Sequence, residues 1–412
     1  MKRFLLAIVC VMASVSIYAQ DFDKWFSDKT LRIDYIFSGN DHEQHIAVDE
    51  LCQEPRWYGK RQRLAEVPVE GNGQITVRDH KTGRVIYRNS FSTLFQEWQS
   101  YPEAKTATKS FENVFLVPMP KDTADITVDL RDNRRQVTSS LTHTVVPSDI
   151  LIRHIGEKGV TPYVTLQQAD DTTRCIHIAY VAEGYTKAEM PLFLEDARKA
   201  MGFLFSYEPF KSMKGRFNIV AVESPSVDSG TSIPGKGIWK NTALHSNFDT
   251  FYSDRYLTTL HLKDLHNWLA GTPYEHIIVL VNTDKYGGGG ILNSYNLSMT
   301  HHDCFRPVVV HEFGHSFAGL ADEYAYDTEE VPMYPHDVEP WEKNITTKVN
   351  FHGKWENLIG KDPKAGFYEG AGYSPKGIYR AYPDCRMRTN EYPEFCPACK
   401  QAIQSVIDFY TR

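Results

Sequence analysis

The first part of the chain alternates apolar and polar residues with the period of half-buried β-strands. In QITVRDHKTGRVIYRN, residues 74–89, the alternation continues on both sides of a turn-forming Lys-Thr-Gly, which predicts a β-hairpin. ENVFLVPMP and ADITVDL follow at 112–120 and 124–130, with turn residues between them. We therefore predict an N-terminal β-sandwich over residues 20–155. This region contains no dense cluster of titratable groups, so we expect it to be an accessory domain.

The pattern changes to continuous apolar runs in the second part of the chain. CIHIAYVAEGY, RFNIVAV and EHIIVLV have the composition of strands that are buried on both faces. Thr186 and Glu189 form a capping-box pattern that predicts a helix of about 15 to 20 residues, and LTTLHLKDLHNWLAG predicts another. The glycine run 287–290 lacks the lysine and the Ser/Thr of a phosphate-binding loop, and we expect a flexible loop beside a cleft. An α/β domain with a mixed sheet is thus predicted over 156–412, which makes the whole chain α+β and multidomain.

The chain begins with a pattern typical of a secretory signal peptide. Lys2 and Arg3 precede an apolar run that leads to the small residue Ala19, and the run is shorter than the ~20 residues of a membrane-spanning helix. We therefore expect residues 1–19 to be removed and the chain to be secreted, periplasmic or at the cell surface, without stable membrane insertion. The formal net charge of −7 is spread without a basic stripe, which argues against a nucleic-acid partner.

The motif that carries chemistry is VVVHEFGHSFAGLADEY, residues 308–324. On a helix, His311 and His315 lie one turn apart and project from the same face, so both imidazoles can bind one metal ion. Glu312 points about 100° away from His311, close enough to act on a metal-bound water without binding the metal. Zinc lowers the pKa of such a water towards ~7, and a carboxylate can then accept its proton as it attacks a carbonyl. The sequence therefore predicts a catalytic Zn²⁺ site with Glu312 as general base, and this site needs a third protein ligand.

HEFGHSFAGLADEY resembles the metzincin zinc peptidases, and most closely the IgA-specific metalloendopeptidase family. CRMRTNEYPEFCPAC, residues 385–399, is similar to the methionine-turn region of that family. The resemblance implies a metzincin-like α/β zinc-peptidase domain behind an N-terminal β-domain, Met387 beneath the metal, and a protein or peptide substrate. It covers most of the chain that follows the signal peptide, strongly from about residue 175.

The third ligand does not lie where the metzincin spacing places it. That spacing puts a glycine three residues and a ligand six residues after the second histidine, but these positions hold Ala318 and Ala321, with Gly319 and Asp322 one residue later. If the helix continued, Asp322 would lie about 10.5 Å along the axis from His315, too far for metal bonds of ~2 Å. The chain must turn back, and Gly319 can take the left-handed conformation that ends a helix. We therefore predict Asp322 as the third ligand.

Other ligands and assisting groups stay open at the level of sequence. Glu323 is the nearest alternative ligand, because its longer side chain would suit a different turn. A thermolysin-like arrangement would instead bring Glu339 or Glu342 from a later helix. Tyr324 and Tyr392 are candidate oxyanion donors.

The cysteines allow two interpretations. Six remain after removal of the signal peptide, and an exported chain usually pairs them. Cys304, just before the motif helix, is placed to pair with Cys396 or Cys399. The group Cys385, Cys396 and Cys399 has the density of a structural zinc site, but the sequence shows no fourth ligand nearby, which favours pairing.

The leading functional hypothesis is an exported zinc endopeptidase. Zinc held by His311, His315 and Asp322 polarises the scissile carbonyl, while Glu312 activates the attacking water. One alternative is a surface binding protein with a vestigial metal site, which the intact His-Glu-x-x-His motif disfavours. Another is a zinc amidase that acts on a cell-wall fragment. A protease assay with and without a chelator distinguishes the endopeptidase from the binding protein.

Overall fold

The computed structural model describes residues 21–327 and 333–412, so the predicted signal peptide lies outside the described residues. Within these ranges the helices are α1 (Asp21–Trp25), α2 (Leu94–Trp98), α3 (Met190–Leu204), α4 (Leu262–Leu269), α5 (Phe305–Ala318) and α6 (Pro397–Thr411). The strands of the N-terminal part are β1 (Phe26–Gly39), β2 (Gln44–Glu54), β3 (Gly73–Asp79), β4 (Val85–Phe91), β5 (Lys109–Pro120), β6 (Ala124–Arg131), β7 (Val137–Val145) and β8 (Arg153–His154). Those that follow are β9 (Tyr163–Gln167), β10 (Ile176–Glu183), β11 (Phe217–Val222), β12 (His276–Val281), β13 (Gly288–Ile291), β14 (Tyr295–Met299), β15 (Ile345–Thr346), β16 (Tyr368–Ala371) and β17 (Ser374–Arg380).

Two four-stranded sheets, in the orders β5-β1-β2-β8 and β4-β3-β6-β7, build the N-terminal part. β3 and β4 pair antiparallel across the predicted turn, where Gly83 has a φ of 68°, so the predicted hairpin is confirmed. Apolar residues of both sheets fill one core. Phe91 of β4 and Phe115 of β5 join the sheets, with 4.2 Å between their ring centroids. The arrangement is that of two sheets facing each other, as the alternating pattern predicts.

A six-stranded mixed sheet, in the order β13-β14-β12-β10-β11-β9, forms the centre of the second part. β10 runs parallel to β11 and β12, and β12 runs parallel to β14. Every residue of β10 and β12 is buried, as expected for continuous apolar strands. The predicted capping box of Thr186 and Glu189 is present and precedes α3. The predicted α4 is also present, but it is shorter than the segment that suggested it.

The glycine run that we expected to be a flexible loop is instead strand β13, at the edge of this sheet. A Cβ atom on Gly290 would lie 2.4 Å from the carbonyl oxygen of Glu312, and one on Gly288 would lie 2.8 Å from Glu312 Oε1. Only glycine therefore lets β13 approach the motif helix α5 this closely. The expectation of a loop was wrong because these residues are glycines for a different reason. The absence of a Cβ atom allows close packing against α5, whereas the prediction assumed that it provided backbone flexibility.

One hydrophobic core runs across the junction between the two parts. Three buried leucines of α4 pack with residues of the N-terminal sheets. Arg32 and Asp34 of β1 form a fully buried ion pair, with 2.7 Å between Nε and Oδ1. Arg32 also donates a hydrogen bond of 2.9 Å to Asn267 Oδ1 in α4. The two parts are thus joined by continuous packing, and the division at residue 155 stays a prediction.

A small sheet in the order β15-β17-β16 follows the motif helix, and the sequence pattern did not predict it. Its hairpin between β16 and β17 turns at Gly372 and Tyr373, both with positive φ. The N–H of Gly372 donates to the carbonyl oxygen of Asp322 at 2.9 Å, which attaches this hairpin to the segment after the motif helix. Among the helices of the described ranges, none is long and apolar enough to cross a membrane.

Candidate metal centre

The motif helix α5 presents His311 and His315 with their ring orientations fixed by the main chain. Nδ1 of His311 lies 3.0 Å from the carbonyl oxygen of Arg386, and Nδ1 of His315 lies 2.5 Å from that of Leu320. A carbonyl oxygen can only accept a hydrogen bond, so each Nδ1 carries the hydrogen. Each neutral imidazole therefore presents the lone pair of its Nε2 atom.

The helix ends at Gly319, whose φ of 58° and ψ of 37° are the left-handed conformation predicted for it. The N–H groups of Gly319 and Leu320 bond to the carbonyl oxygens of His315 and Gly314, at 3.0 and 3.1 Å. These two bonds close the helix and turn the chain back. Asp322 is thereby brought opposite the two histidines.

Three acceptor atoms converge at this point. The two Nε2 atoms of His311 and His315 lie 3.0 Å apart. Asp322 Oδ1 lies 3.0 Å from the first and 3.4 Å from the second. Lone pairs that face each other at such distances repel, and a cation between them removes the repulsion. The donor set therefore fits a metal ion, and imidazole nitrogen with carboxylate oxygen is a set that zinc accepts.

Electrostatics at the site follow from the same proximity. Burial acts to lower the pKa of His315, but the negative charge of Asp322 overrides it and raises the pKa to about 9, so a proton competes with a metal ion for the Nε2 lone pair that faces Asp322. Burial likewise opposes ionisation of Asp322, yet the two imidazoles hold the pKa of this carboxyl well below its usual range. The carboxylate is thus kept in the charged form that a metal ligand requires.

Tyr373 holds the carboxylate of Asp322 in place, and no feature of the sequence points to it. Its hydroxyl donates a hydrogen bond to Asp322 Oδ2, which leaves Oδ1 directed at the histidines. Tyr373 stacks on Tyr326, with 9° between the ring planes, and also contacts Tyr324. The tyrosine lies 51 residues after Asp322, and only the hairpin between β16 and β17 brings the two together.

Met387 packs directly against the motif helix. Its side chain is fully buried, and Sδ would be 2.8 Å from a Cβ atom on Gly314, so a side chain at position 314 would displace Met387. Its carbonyl oxygen accepts a hydrogen bond of 2.7 Å from the N–H of Glu323. Met387 therefore connects the helix that carries the histidines to the segment that carries Asp322.

Glu312 stands beside the three converging atoms rather than among them. One of its carboxylate oxygens and the imidazole nitrogens of His311 and His315 all lie within 4.8 Å of one another. Burial raises the pKa of the Glu312 carboxyl. The side chain faces Gly288 of β13, where the missing Cβ leaves room for it.

The site opens into a cleft of about 1260 Å³ that is lined by both parts of the chain. Glu97 from α2 reaches this cleft and accepts a hydrogen bond of 2.7 Å from the hydroxyl of Tyr256. Burial raises the pKa of Glu97 to about 7. Sequence reasoning missed this residue because it lies in the region expected to be accessory. Tyr324 lines the cleft, whereas Tyr392 is not among its lining residues.

The alternative third ligands point elsewhere. Glu323 directs its carboxylate away from the histidines, with Oε1 3.0 Å from Cys399 Sγ. Glu339 pairs with Lys354, at 2.9 Å between Oε1 and Nζ. Glu342 accepts a hydrogen bond of 3.0 Å from Tyr334. Of the four candidates, only Asp322 is brought to the two histidines.

The expected disulfide of Cys304 is absent, and the six cysteines of the described ranges are free. Cys304 immediately precedes α5, whereas Cys396 and Cys399 contact the carboxylate of Glu323, in the segment that follows this helix. The prediction failed because closeness to the motif in sequence does not say which side chains the fold brings together.

A helix with His-Glu-x-x-His whose imidazoles meet a carboxylate in an open cleft is typical of a metallopeptidase. Comparison with protein families agrees. The model described as IgA Peptidase M64 matches residues 164–364 and 360–407, and the one described as Peptidase M64 N-terminus matches residues 21–142. The chain belongs to the IgA peptidase M64 family, which confirms the resemblance noted in the sequence. The family makes it a metal-dependent peptidase with protein substrates.

One similar solved structure has the description "Crystal Structure of metalloproteinase-II from Bacteroides fragilis". The two sequences are 12% identical, and the TM-score is 0.22. The alignment covers 60% of this chain and 83% of that chain. A comparison with curated proteins found no match.

Proposed function

We propose that this chain is a zinc-dependent endopeptidase with a metzincin-like centre, in which His311, His315 and Asp322 hold the metal. The convergence of two Nε2 lone pairs and one carboxylate oxygen within 3.0–3.4 Å carries the proposal. Both Nδ1 hydrogens are donated to carbonyl oxygens, so each Nε2 atom is the one that remains for a metal ion. The glycine turn after the motif helix and Met387 beneath it support the metzincin comparison. Zinc bound there supplies a Lewis acid that polarises the scissile carbonyl and acidifies water.

Glu312 is the proposed general base. Its carboxylate lies beside the ligands and belongs to the same helix, so its position relative to them is fixed. It accepts the proton of the attacking water and then passes it to the leaving amine. The glycines of β13 give it space and close one side of the site.

The cleft supports a polypeptide as substrate. Its volume of about 1260 Å³ exceeds the ~300–1,000 Å³ of small-ligand pockets, and it runs between the two parts of the chain. Tyr256 and Glu97 at its N-terminal side belong to different parts and are hydrogen-bonded to each other. We infer that the N-terminal part contributes to substrate binding instead of acting only as a separate accessory domain.

Replacement of Glu312 by glutamine tests the mechanism. Glutamine keeps the shape but cannot accept a proton, so kcat on a labelled protein substrate should fall by about 10²–10⁴-fold. Zinc content, measured by mass spectrometry of the metal, should stay as in the unmodified chain. Glu157→Gln is the matched control, because Glu157 is an exposed glutamate outside the cleft, and its activity should be unchanged. Full activity of the Glu312→Gln variant, or no loss of activity with a zinc chelator, contradicts the proposal.

We also propose that the chain is exported, on the basis of the pattern in residues 1–19. Expression in a bacterial host with a functional secretion system should yield a chain that begins at about residue 20 outside the cytoplasm. N-terminal mass determination on the cell fractions measures this. An uncut chain confined to the cytoplasm contradicts it.

A further inference from the structure

A second group of metal-binding side chains lies next to the catalytic centre. It consists of Cys385, Cys396, Cys399 and Glu323, whose ligand atoms all lie within 4.8 Å of one another. Each of these residues is at most 1% exposed. Cys396 and Cys399 form a Cys-x-x-Cys pair at the start of α6, and Cys385 comes from the segment 385–395 around Met387, called the methionine segment below. Glu323 is the fourth ligand that the sequence did not reveal, because it comes from more than 60 residues away.

The distances in this group suit tetrahedral coordination. Sulfur atoms bound to one zinc ion at ~2.3 Å, at tetrahedral angles, lie about 3.8 Å apart. Cys385 Sγ and Cys399 Sγ are 3.7 Å apart. Glu323 Oε1 lies 3.0 Å from Cys399 Sγ and 4.0 Å from Cys396 Sγ, which brackets the separation of about 3.5 Å for one sulfur and one oxygen ligand.

The burial of the Glu323 carboxyl group favours a cation in this position. It is fully buried, its Oε2 has no hydrogen-bond partner, and three thiol groups surround it. A buried and uncompensated carboxylate is strongly unfavourable, and coordination to a dication removes that cost. Asn344 fixes the oxygen that faces the sulfur atoms, because its Nδ2 donates to Glu323 Oε1 at 3.0 Å and to the carbonyl oxygen of Ala321 at 2.8 Å. Such outer contacts orient metal ligands.

The sulfur atom of Cys385 is placed as a thiolate would be. The N–H of Cys396 points at Cys385 Sγ, at 3.2 Å. A main-chain N–H that donates to sulfur stabilises its negative charge.

We propose that Cys385, Cys396, Cys399 and Glu323 bind a second zinc ion with a structural role. Four protein ligands leave no open coordination position, which is the property of a structural site. Glu323 follows Asp322 directly, and the two side chains point to different metal positions. Asp322, the third ligand of the catalytic centre, lies in the turn that also holds Glu323. The second ion therefore attaches this turn to the methionine segment and to α6.

The decisive experiment removes the catalytic site and leaves the second group untouched. The full chain, purified without a polyhistidine tag, is compared with its His311→Ala, His315→Ala double variant by metal analysis and X-ray absorption at the zinc edge. We expect about two zinc ions per unmodified chain and about one in the double variant, with a shell of three sulfur atoms and one oxygen. A double variant without zinc, or with zinc bound only by nitrogen and oxygen, overturns the proposal. Failure of the proposed peptidase function alone would leave this result unaffected.

Further variants in the same background assign the ligands. Cys399→Ser and Glu323→Gln should each lower the remaining zinc content, whereas Cys304→Ser should leave it unchanged, because Cys304 lies outside the group. Thiol counting by mass spectrometry of the alkylated chain gives an independent outcome. A disulfide among Cys385, Cys396 and Cys399 in the unmodified chain overturns the proposal, even if the serine variants fail to fold.

Discussion

The hydroxyl of Tyr373 offers a sharp test of how Asp322, the proposed third ligand, is held. In the Tyr373→Phe variant the ring remains, while Asp322 loses the hydrogen bond to Oδ2 that directs Oδ1 at the histidines. The direct ligands are unchanged, so only the orientation and charge stabilisation of the carboxylate are affected. Loss of such an outer contact typically weakens metal binding by about 10–100-fold, which corresponds to about 1.4–2.7 kcal/mol. We expect a decrease in zinc affinity of that size.

Competition between the protein and a chromophoric chelator measures this affinity for the catalytic ion. Tyr326→Phe is the matched control, because its ring stacks on Tyr373 while its hydroxyl bonds to Arg255 instead of Asp322. At saturating zinc the Tyr373→Phe variant should recover most of its kcat, since it positions a ligand rather than taking part in the reaction. Unchanged zinc affinity in this variant, or an equal loss in the Tyr326→Phe control, would refute the reasoning.

Three further predictions concern stability, each measured by urea unfolding. Gly290→Ala places a methyl group 2.4 Å from the main chain of the motif helix, so it should lower the free energy of unfolding by about 1–3 kcal/mol and reduce activity. The control Gly202→Ala in α3 has open space around the new methyl group and should leave the free energy of unfolding unchanged or raise it. Arg32→Leu leaves Asp34 buried without its partner and should lower the free energy of unfolding by about 3–5 kcal/mol. A decrease below ~1 kcal/mol would argue against the ion pair at the junction. Burial lowers the pKa of His276 to about 3, whereas the same side chain titrates near ~6.5 in the unfolded chain. Below pH ~6.5 the unfolded chain therefore binds a proton that the folded chain does not, and the free energy of unfolding decreases on acidification. Between pH 6 and 5 the free energy of unfolding of the unmodified chain should therefore decrease by about 1 kcal/mol more than that of a His276→Asn variant.

The chemistry of the main motif was accessible from local sequence rules. The spacing of His311 and His315 on a helix follows from the helical period alone, and the end of the helix at Gly319 follows from the conformational freedom of glycine. The strands β10 and β12 and the capping box of Thr186 were predicted in the same way, because apolar periodicity and capping are properties of neighbouring residues.

The glycine strand β13 and the small sheet show where such rules end. Glycine favours turns in isolation, and only contact with Glu312 in α5 makes it the residue that a packed strand requires. The hairpin between β16 and β17 has weak strand character by itself and is held by pairing with its neighbours and with Asp322. Tertiary contacts decided these elements.

By itself, the sequence determined the class of chemistry, through two histidines and a glutamate on one helix, and it limited the third ligand to a few acidic residues. Only the tertiary structure brought Asp322 to the histidines while Glu323 pointed to the cysteines. Successive side chains on a non-helical segment face different directions, and the contacts that set those directions come from Tyr373, Asn344 and the methionine segment, all far away in the chain. Local propensity cannot encode contacts of that range, and for this reason the group around Glu323 becomes visible only in the folded chain.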